Sequence, residues 1–223
     1  VYHSGENRFD VREYAPLPPS RTEYARTKLM AEEVVLQAHQ EGLAAVVIRP
    51  RGIFGPGDTT VFPRILRLLG SGRMKVLGDG DNRIDITYLD NVVDSLLLAA
   101  VAPDNALGKI YNITNGDPIQ LWSFLADLAR RLDLSPPQGR LPLWRARLIA
   151  GLMELVWTVL FLKGEPPLTR YTVDLLALST TLDISAARQD LSYNPRISMD
   201  EGVERFLQWW NSRITPGPSA QDG

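Results

Sequence analysis

Tyr24 and Lys28, in the string Tyr24-Ala-Arg-Thr-Lys28, are the first residues whose types and spacing suit chemistry. On a helix, positions four apart share a face, so a phenol and an ammonium here can address one ligand. The phenol can give or take a proton, and the ammonium can hold a ribose hydroxyl. Taken alone, such a pair also arises by coincidence. Further on stands Arg49-Pro-Arg-Gly-Ile-Phe-Gly-Pro-Gly-Asp58, at the end of the β-branched run formed by residues 44–50. Ligands of open α/β sheets bind beyond the carboxyl ends of strands. Gly52, Gly55 and Gly57 let the backbone turn sharply and approach a flat ring, although a plain Gly/Pro loop has the same composition. A third string runs from Gly78 to Asn91 and contains Arg83, Asp85, Tyr88 and Asp90. Arg83 can grip an anionic group bidentately or simply face solvent. Asp90 reads as a helix cap.

The elements around these strings can be read from apolar spacing and turn residues. Residues 1–20 are rich in prolines and turn formers and read as a surface loop. A helix over 21–40 follows, capped by Ser20 or Thr22 and stopped at Gly42. Residues 44–50 read as a buried parallel strand, and 62–69 as a helix. Strands are expected at 75–77 and 85–89, a helix capped by Asp90 at 91–101, a strand at 109–113 and a helix at 122–132. This alternation predicts an α/β fold with a parallel sheet. After residue 136 the texture changes. Residues 141–162 are mostly apolar, the string beginning at Glu165 interrupts them, and short helices are expected near 183–190 and 198–212.

Composition narrows the function classes. The 223 residues carry 24 basic and 26 acidic side chains, a net charge of −2, with no basic stripe for nucleic acid. There is no cysteine, which removes thiol nucleophiles and zinc–thiolate sites, and two histidines cannot build a multi-histidine metal site. No metal is therefore expected. Residues 148–162 are apolar apart from Glu154 and Thr158. That run is short of the roughly twenty residues a membrane span needs. It reads as a buried helix or an apolar lid, or as an interfacial helix with Arg145, Arg147 and Lys163 at its ends.

In this order, the strings resemble the extended short-chain dehydrogenase/reductase superfamily (the NAD-dependent epimerase/dehydratase type), and within it the 3β-hydroxysteroid dehydrogenase branch. The likeness continues through Tyr111 to Trp122, Gly164 to Arg170 and Leu191 to Arg205. It implies the later part of a Rossmann-type parallel-sheet domain with a smaller substrate lobe. Residues 1–135 would be the later half of that domain with part of the lobe, 136–213 the lobe and apolar helix, and 214–223 a disordered tail. It also implies NAD or NADP as cofactor. Tyr24 would be the catalytic acid/base and Lys28 its partner, both touching the cofactor. The backbone of Pro50, Arg51, Gly52 and Ile53 would face the nicotinamide. Arg83, Tyr88 and Trp157 would meet the substrate. The catalytic Ser or Thr, the Gly-rich phosphate loop and the residue that selects NAD or NADP are expected upstream of Val1. Neither the opening string nor Gly78-Asp-Gly-Asp-Asn82 replaces that loop, since neither joins a strand to a helix N-terminus.

The resemblance implies hydride exchange between the cofactor and an alcohol/ketone pair on a sterol-like or long-chain apolar molecule. A nucleotide-sugar epimerase or dehydratase is the enzymatic alternative, which Arg83 would suit, and a non-catalytic cofactor-binding module is the alternative of another class. Expected partners are the apolar substrate, a second copy in a homodimer and a peripheral membrane contact, without nucleic acid. The expected location is cytoplasmic, at the membrane periphery.

Overall fold

The computed structural model describes residues 2, 5–19, 22–59, 61–164 and 166–214. Ser20, the expected break at Glu165 and the tail over 215–223 lie outside the described residues. In chain order the first elements are β1 (Arg8–Val11), α1 (Glu23–Gln40), β2 (Val47–Pro50), β3 (Ile53–Phe54), α2 (Val61–Gly70) and β4 (Val76–Leu77). Next come β5 (Arg83–Ile84), β6 (Thr87–Tyr88), α3 (Leu89–Ala100), a 3-10 turn (Asp104–Ala106), β7 (Ile110–Ile113), β8 (Ile119–Gln120) and α4 (Leu121–Arg131). The chain continues with β9 (Arg140–Leu141), α5 (Leu143–Val159), α6 (Arg170–Ala177), β10 (Thr180–Leu182), α7 (Ser185–Leu191) and α8 (Met199–Ile214).

Pairing is parallel almost throughout, as the strand–helix alternation predicts. β2 pairs with β7, β3 with β6, and β4 with β9, all in parallel register. A four-stranded sheet runs β1-β10-β5-β8, in which only the β5–β8 pair is antiparallel. The stretch expected to be loop therefore contains β1, whose charged sequence Arg-Phe-Asp-Val hides its strand character. Likewise β10, with two threonines, and the short helix α6 lie where no element was expected. The strand expected over 85–89 shrinks to β6, and a separate short strand, β5, precedes it. β2 is part-buried along its length rather than fully buried.

Of the apolar clusters among the described residues, two hold the helices of the later half in place. One joins Phe54, Phe62 and Leu66 to Tyr88, Leu128, Val203 and Phe206, and so packs α2, α4 and α8 around β3 and β6. The other joins Leu121 and Leu125 to Ala146, Ala150 and Val173, seating α5 and α6 on α4.

Two helices depart from this pattern of burial. In α1 no side chain is buried. Thr22 caps it, accepting from the Ala25 N–H at 3.1 Å, and Gly42 beyond its end adopts φ +107°. A forked ion pair holds the helix to β2: Arg49 Nε donates to Glu32 Oε2 at 2.8 Å, with both side chains nearly buried at 9% and 13% exposure. α5 buries only Ala146 and Ala150. Leu148, Leu152, Leu155 and Val159 lie exposed along it, and Phe161 beyond its end is 90% exposed. The expectation of a buried apolar helix is therefore corrected: small residues let α5 approach its neighbours and most of the large ones face outward. No described helix is long and apolar enough to cross a membrane.

Candidate active site

Tyr24 and Lys28 occupy successive turns of α1, and the Lys28 Nζ stands 5.6 Å from the centroid of the Tyr24 ring. Tyr24 is 72% exposed, and Lys28 is exposed too. Neither the phenol oxygen nor the ammonium bonds to a described residue, so both are free to take a ligand. The pair is placed by the Glu32–Arg49 ion pair two turns along from Tyr24, since Arg49 belongs to the strand whose end carries the next candidates. Arg49 also donates to the hydroxyl of Tyr2, which in turn donates to Asn112 Oδ1 at 2.7 Å on the neighbouring strand β7.

Beyond β2 the backbone of Pro50, Arg51, Gly52 and Ile53 is fixed on both sides. The Arg51 N–H donates to the Ile113 carbonyl at 3.1 Å, and the Thr87 N–H donates to the Gly52 carbonyl at 3.0 Å. The buried Thr87 hydroxyl donates to the Arg51 carbonyl at 2.6 Å. Gly52 has φ +55°, and a Cβ there would meet Ile86 Cγ2 at 2.9 Å and the Asp85 carbonyl at 3.1 Å. Glycine is therefore required for this segment to lie flat against β6. Pro50, Arg51 and their neighbours form the rigid lip of the β2/β7 sheet at its carboxyl end, where parallel sheets bind ligands.

The Arg51 side chain is part-buried, and its Nε is shut from solvent without a hydrogen-bond partner. Burial lowers its pKa, and the charges of Asp85 and Tyr171 oppose that. Asp85 is 2% exposed. Burial pushes its pKa up to about 6, while the Leu182 N–H, Arg51 and Thr114 pull it back toward the ionised form. The Leu182 N–H donates to Asp85 Oδ2 at 2.6 Å, tying this carboxylate to β10. Sequence reasoning named Asp85 only as part of a motif and missed its burial.

The three expected substrate residues fall in different settings. Arg83 is exposed on β5, and its side chain makes no hydrogen bond or ion pair with a described residue. Tyr88 is a core residue, 2% exposed, with its ring edge-on to Phe54 at 5.5 Å and under Gly202 of α8. The ring thus packs between Phe54 and α8. Trp157 is part-buried on α5, and its Nε1 is sealed without a partner. Asp90 is not a cap either: α3 starts at Leu89 after Tyr88, which makes no side-chain cap bond, and Asp90 accepts from Arg205 Nη1 at 3.2 Å. The capping capacity of a carboxylate is lost when it stands inside the first turn, where it faces the dipole without reaching the N-terminal amides. Its neighbour Asn91 went unnoticed. It is fully buried, and its amide donates to Asn115 Oδ1 at 2.9 Å and to the Ile197 carbonyl at 2.8 Å. Gly78-Asp-Gly-Asp-Asn82 joins β4 to β5, strand to strand, so it is not a phosphate loop.

An α/β sheet of parallel strands, with a Tyr/Lys pair on a helix lashed to one strand and a glycine-bearing lip at that strand's end, defines a Rossmann-type class. Residues 5–143 match the model of the 3-beta hydroxysteroid dehydrogenase/isomerase family, and the chain belongs to that family. Among curated proteins it is 38% identical over 186 residues to 2-alkyl-3-oxoalkanoate reductase of Stenotrophomonas maltophilia, covering 82% of this chain and 56% of that one. It is 35% identical over 193 residues to the decarboxylating sterol-4-alpha-carboxylate 3-dehydrogenase of Mus musculus, covering 83% of this chain and 53% of that one. The chain thus spans about half the length of these relatives. A UDP-glucuronic acid 4-epimerase from Bacillus cereus, solved with NAD, shares the fold at TM-score 0.67 and 20% identity, over 96% of this chain and 60% of that one.

Proposed function

We propose that this chain carries the proton-exchange pair and the substrate lobe of an NAD(P)-dependent oxidoreductase, acting on the 3β-hydroxy/3-oxo group of a sterol-like or long-chain apolar substrate. The observation that carries this reading is the Tyr24 hydroxyl and Lys28 ammonium, unpartnered among the described residues, on one face of a helix bolted to the strand that leads into the Pro50–Ile53 lip. The donor set fits a nicotinamide riboside: an ammonium for ribose hydroxyls, and a backbone held too firmly to collapse into the space of a flat ring. When bound, that cofactor supplies or accepts the hydride. In the direction of reduction the Tyr24 hydroxyl gives its proton to the carbonyl oxygen of the substrate, and in oxidation it takes that proton back. Lys28 steadies the tyrosyl oxygen by charge and fixes its orientation by holding the ribose. Arg83 and Trp157 would border the substrate, and Tyr88 would act from the core by setting the position of β6.

The names of the two relatives support the substrate class. Each places its redox position at carbon 3, and each includes a carboxylate attached through the neighbouring carbon. The exposed apolar face of α5, flanked by Arg145 and Lys163, supports peripheral contact with a membrane. Exposed Met30 and Val34 on α1, with Val93, Leu96 and Leu97 on α3, support pairing of two copies. The test is Tyr24→Phe in the full-length protein. Turnover should fall about a hundredfold or more while cofactor binding persists. Turnover within a few-fold of the parent would overturn the assignment.

A further inference from the structure

We infer that Arg51 forms a carboxylate subsite: its guanidinium receives the carboxylate of a substrate in which that group hangs from the carbon next to the one oxidised or reduced. This inference rests on the reading of the Tyr24/Lys28 site given above, and adds to it a residue for the acid group.

The first observation is an imbalance among the arginines of the fold. Arg49 has Glu32, Arg12 has Asp183 at 2.8 Å, and Arg147 has Asp174 at 2.6 Å. Arg51 has no ion pair, and its guanidinium makes no hydrogen bond, with any described residue. A guanidinium stays protonated wherever it is placed. Removing one from water without an anion in contact is unfavourable, so the arrangement calls for an anion from elsewhere. Asp85 does not fill that role. Its Oδ2 accepts the Leu182 N–H, and it stands close enough to Arg51 to be felt but makes no ion pair with it.

The second observation is position. Arg51 follows Pro50 directly at the carboxyl end of β2, and its own backbone is pinned to Ile113 and Thr87. The side chain therefore starts from a fixed point on the same lip that the nicotinamide would face. Its other neighbour in charge range is Tyr171 of α6. Tyr171 lines a cavity of about 500 Å³ with Gly5, Arg147, Glu154, Arg170 and Asp174. Arg51 as a whole is part-buried rather than sealed in the core. A planar fork suits a carboxylate, which it can meet with two parallel N–H···O bonds.

The test uses the full-length protein with 2-octyl-3-hydroxydodecanoate and its methyl ester, which differ in the carboxylate charge. In Arg51→Gln the KM for the acid should rise about 30-fold or more. The KM for the ester should rise far less, so that the acid-to-ester KM ratio changes, and Arg51→Lys should recover part of the loss. Calorimetric binding of the acid without turnover should show the same order. Equal changes for acid and ester, or none for either, would overturn the subsite. If the acid binds through Arg51 but is never oxidised, the subsite stands and the redox reading falls. If both compounds are oxidised alike by parent and variant, the redox reading stands and the subsite falls. Should Arg51→Gln melt below the assay temperature, Arg51→Lys decides alone: a raised KM for the acid only supports the subsite, and unchanged constants for both overturn it.

Discussion

At the scale of single residues, the legible part of the site was the part that depends on local spacing. Tyr24 and Lys28 could be paired from sequence because helix geometry alone brings residues four apart together. Arg51 was read for its backbone, since a cation deprived of its counter-ion is a three-dimensional fact that no string of letters records. The burial of Tyr88 is illegible in sequence for a different reason. Thr87 and Tyr88 form a strand of two residues with both side chains buried, so simple alternation of inner and outer positions fails there. Asp85 offers a measurement at this scale. Its folded-state pKa, near 6, lies above the value of about 3.8 expected when unfolded. Folding therefore favours its protonated form, and the stability it contributes is full below about pH 4 and is lost as pH rises through 6. A carboxyl-carbon NMR titration should show a midpoint near 6. Arg51→Gln should move that midpoint upward, because the variant removes a positive charge that favours the carboxylate.

Among elements, α1 shows how a surface helix can be positioned without a core. Its apolar side chains remain unburied, so the Glu32–Arg49 pair contributes much of the attachment. Glu32→Ala leaves Arg49 nearly buried and short of its carboxylate, which should cost about 3–5 kcal/mol, read as a lower denaturation midpoint. Glu32→Gln keeps hydrogen bonds and should lose less. The sequence could place α1 by its cap and stop signals but gave no hint of this partner, seventeen residues away on a strand. For α5 the apolar run was evident, while its outward orientation depends on Ala146 and Ala150 meeting α6 and α4. Phe161→Ser should leave the denaturation midpoint nearly unchanged, because the ring is already in solvent. If α5 meets a membrane, the same variant should float less with phosphatidylglycerol vesicles in a sedimentation gradient. Equal flotation of variant and parent would remove the membrane contact from the functional reading.

The whole molecule is joined by polar side chains as well as apolar clusters. Asn91 links α3 to the turn after β7 and to the segment leading into α8, also accepting from the N–H groups of Arg196 and Ile197 at 3.0 Å each. Asn91→Ala strands several buried groups at once and should cost about 2–4 kcal/mol, visible in urea denaturation. The alternation of strands and helices made the α/β class readable in advance, but which strands would be neighbours was not, because short polar strands carry no label of their partners. β10 is the clearest instance. It lies between β1 and β5, so a segment near the end of the fold is the middle of the sheet, and the Ser179 N–H reaches Asn7 from 172 residues away. On a ribosome adding about 5–20 residues each second, β1 would wait roughly 10–30 s before its partner exists. During that interval the edge of a charged four-residue strand is open to the cell, and the charges at Arg8 and Asp10 serve as its guard against pairing with strangers.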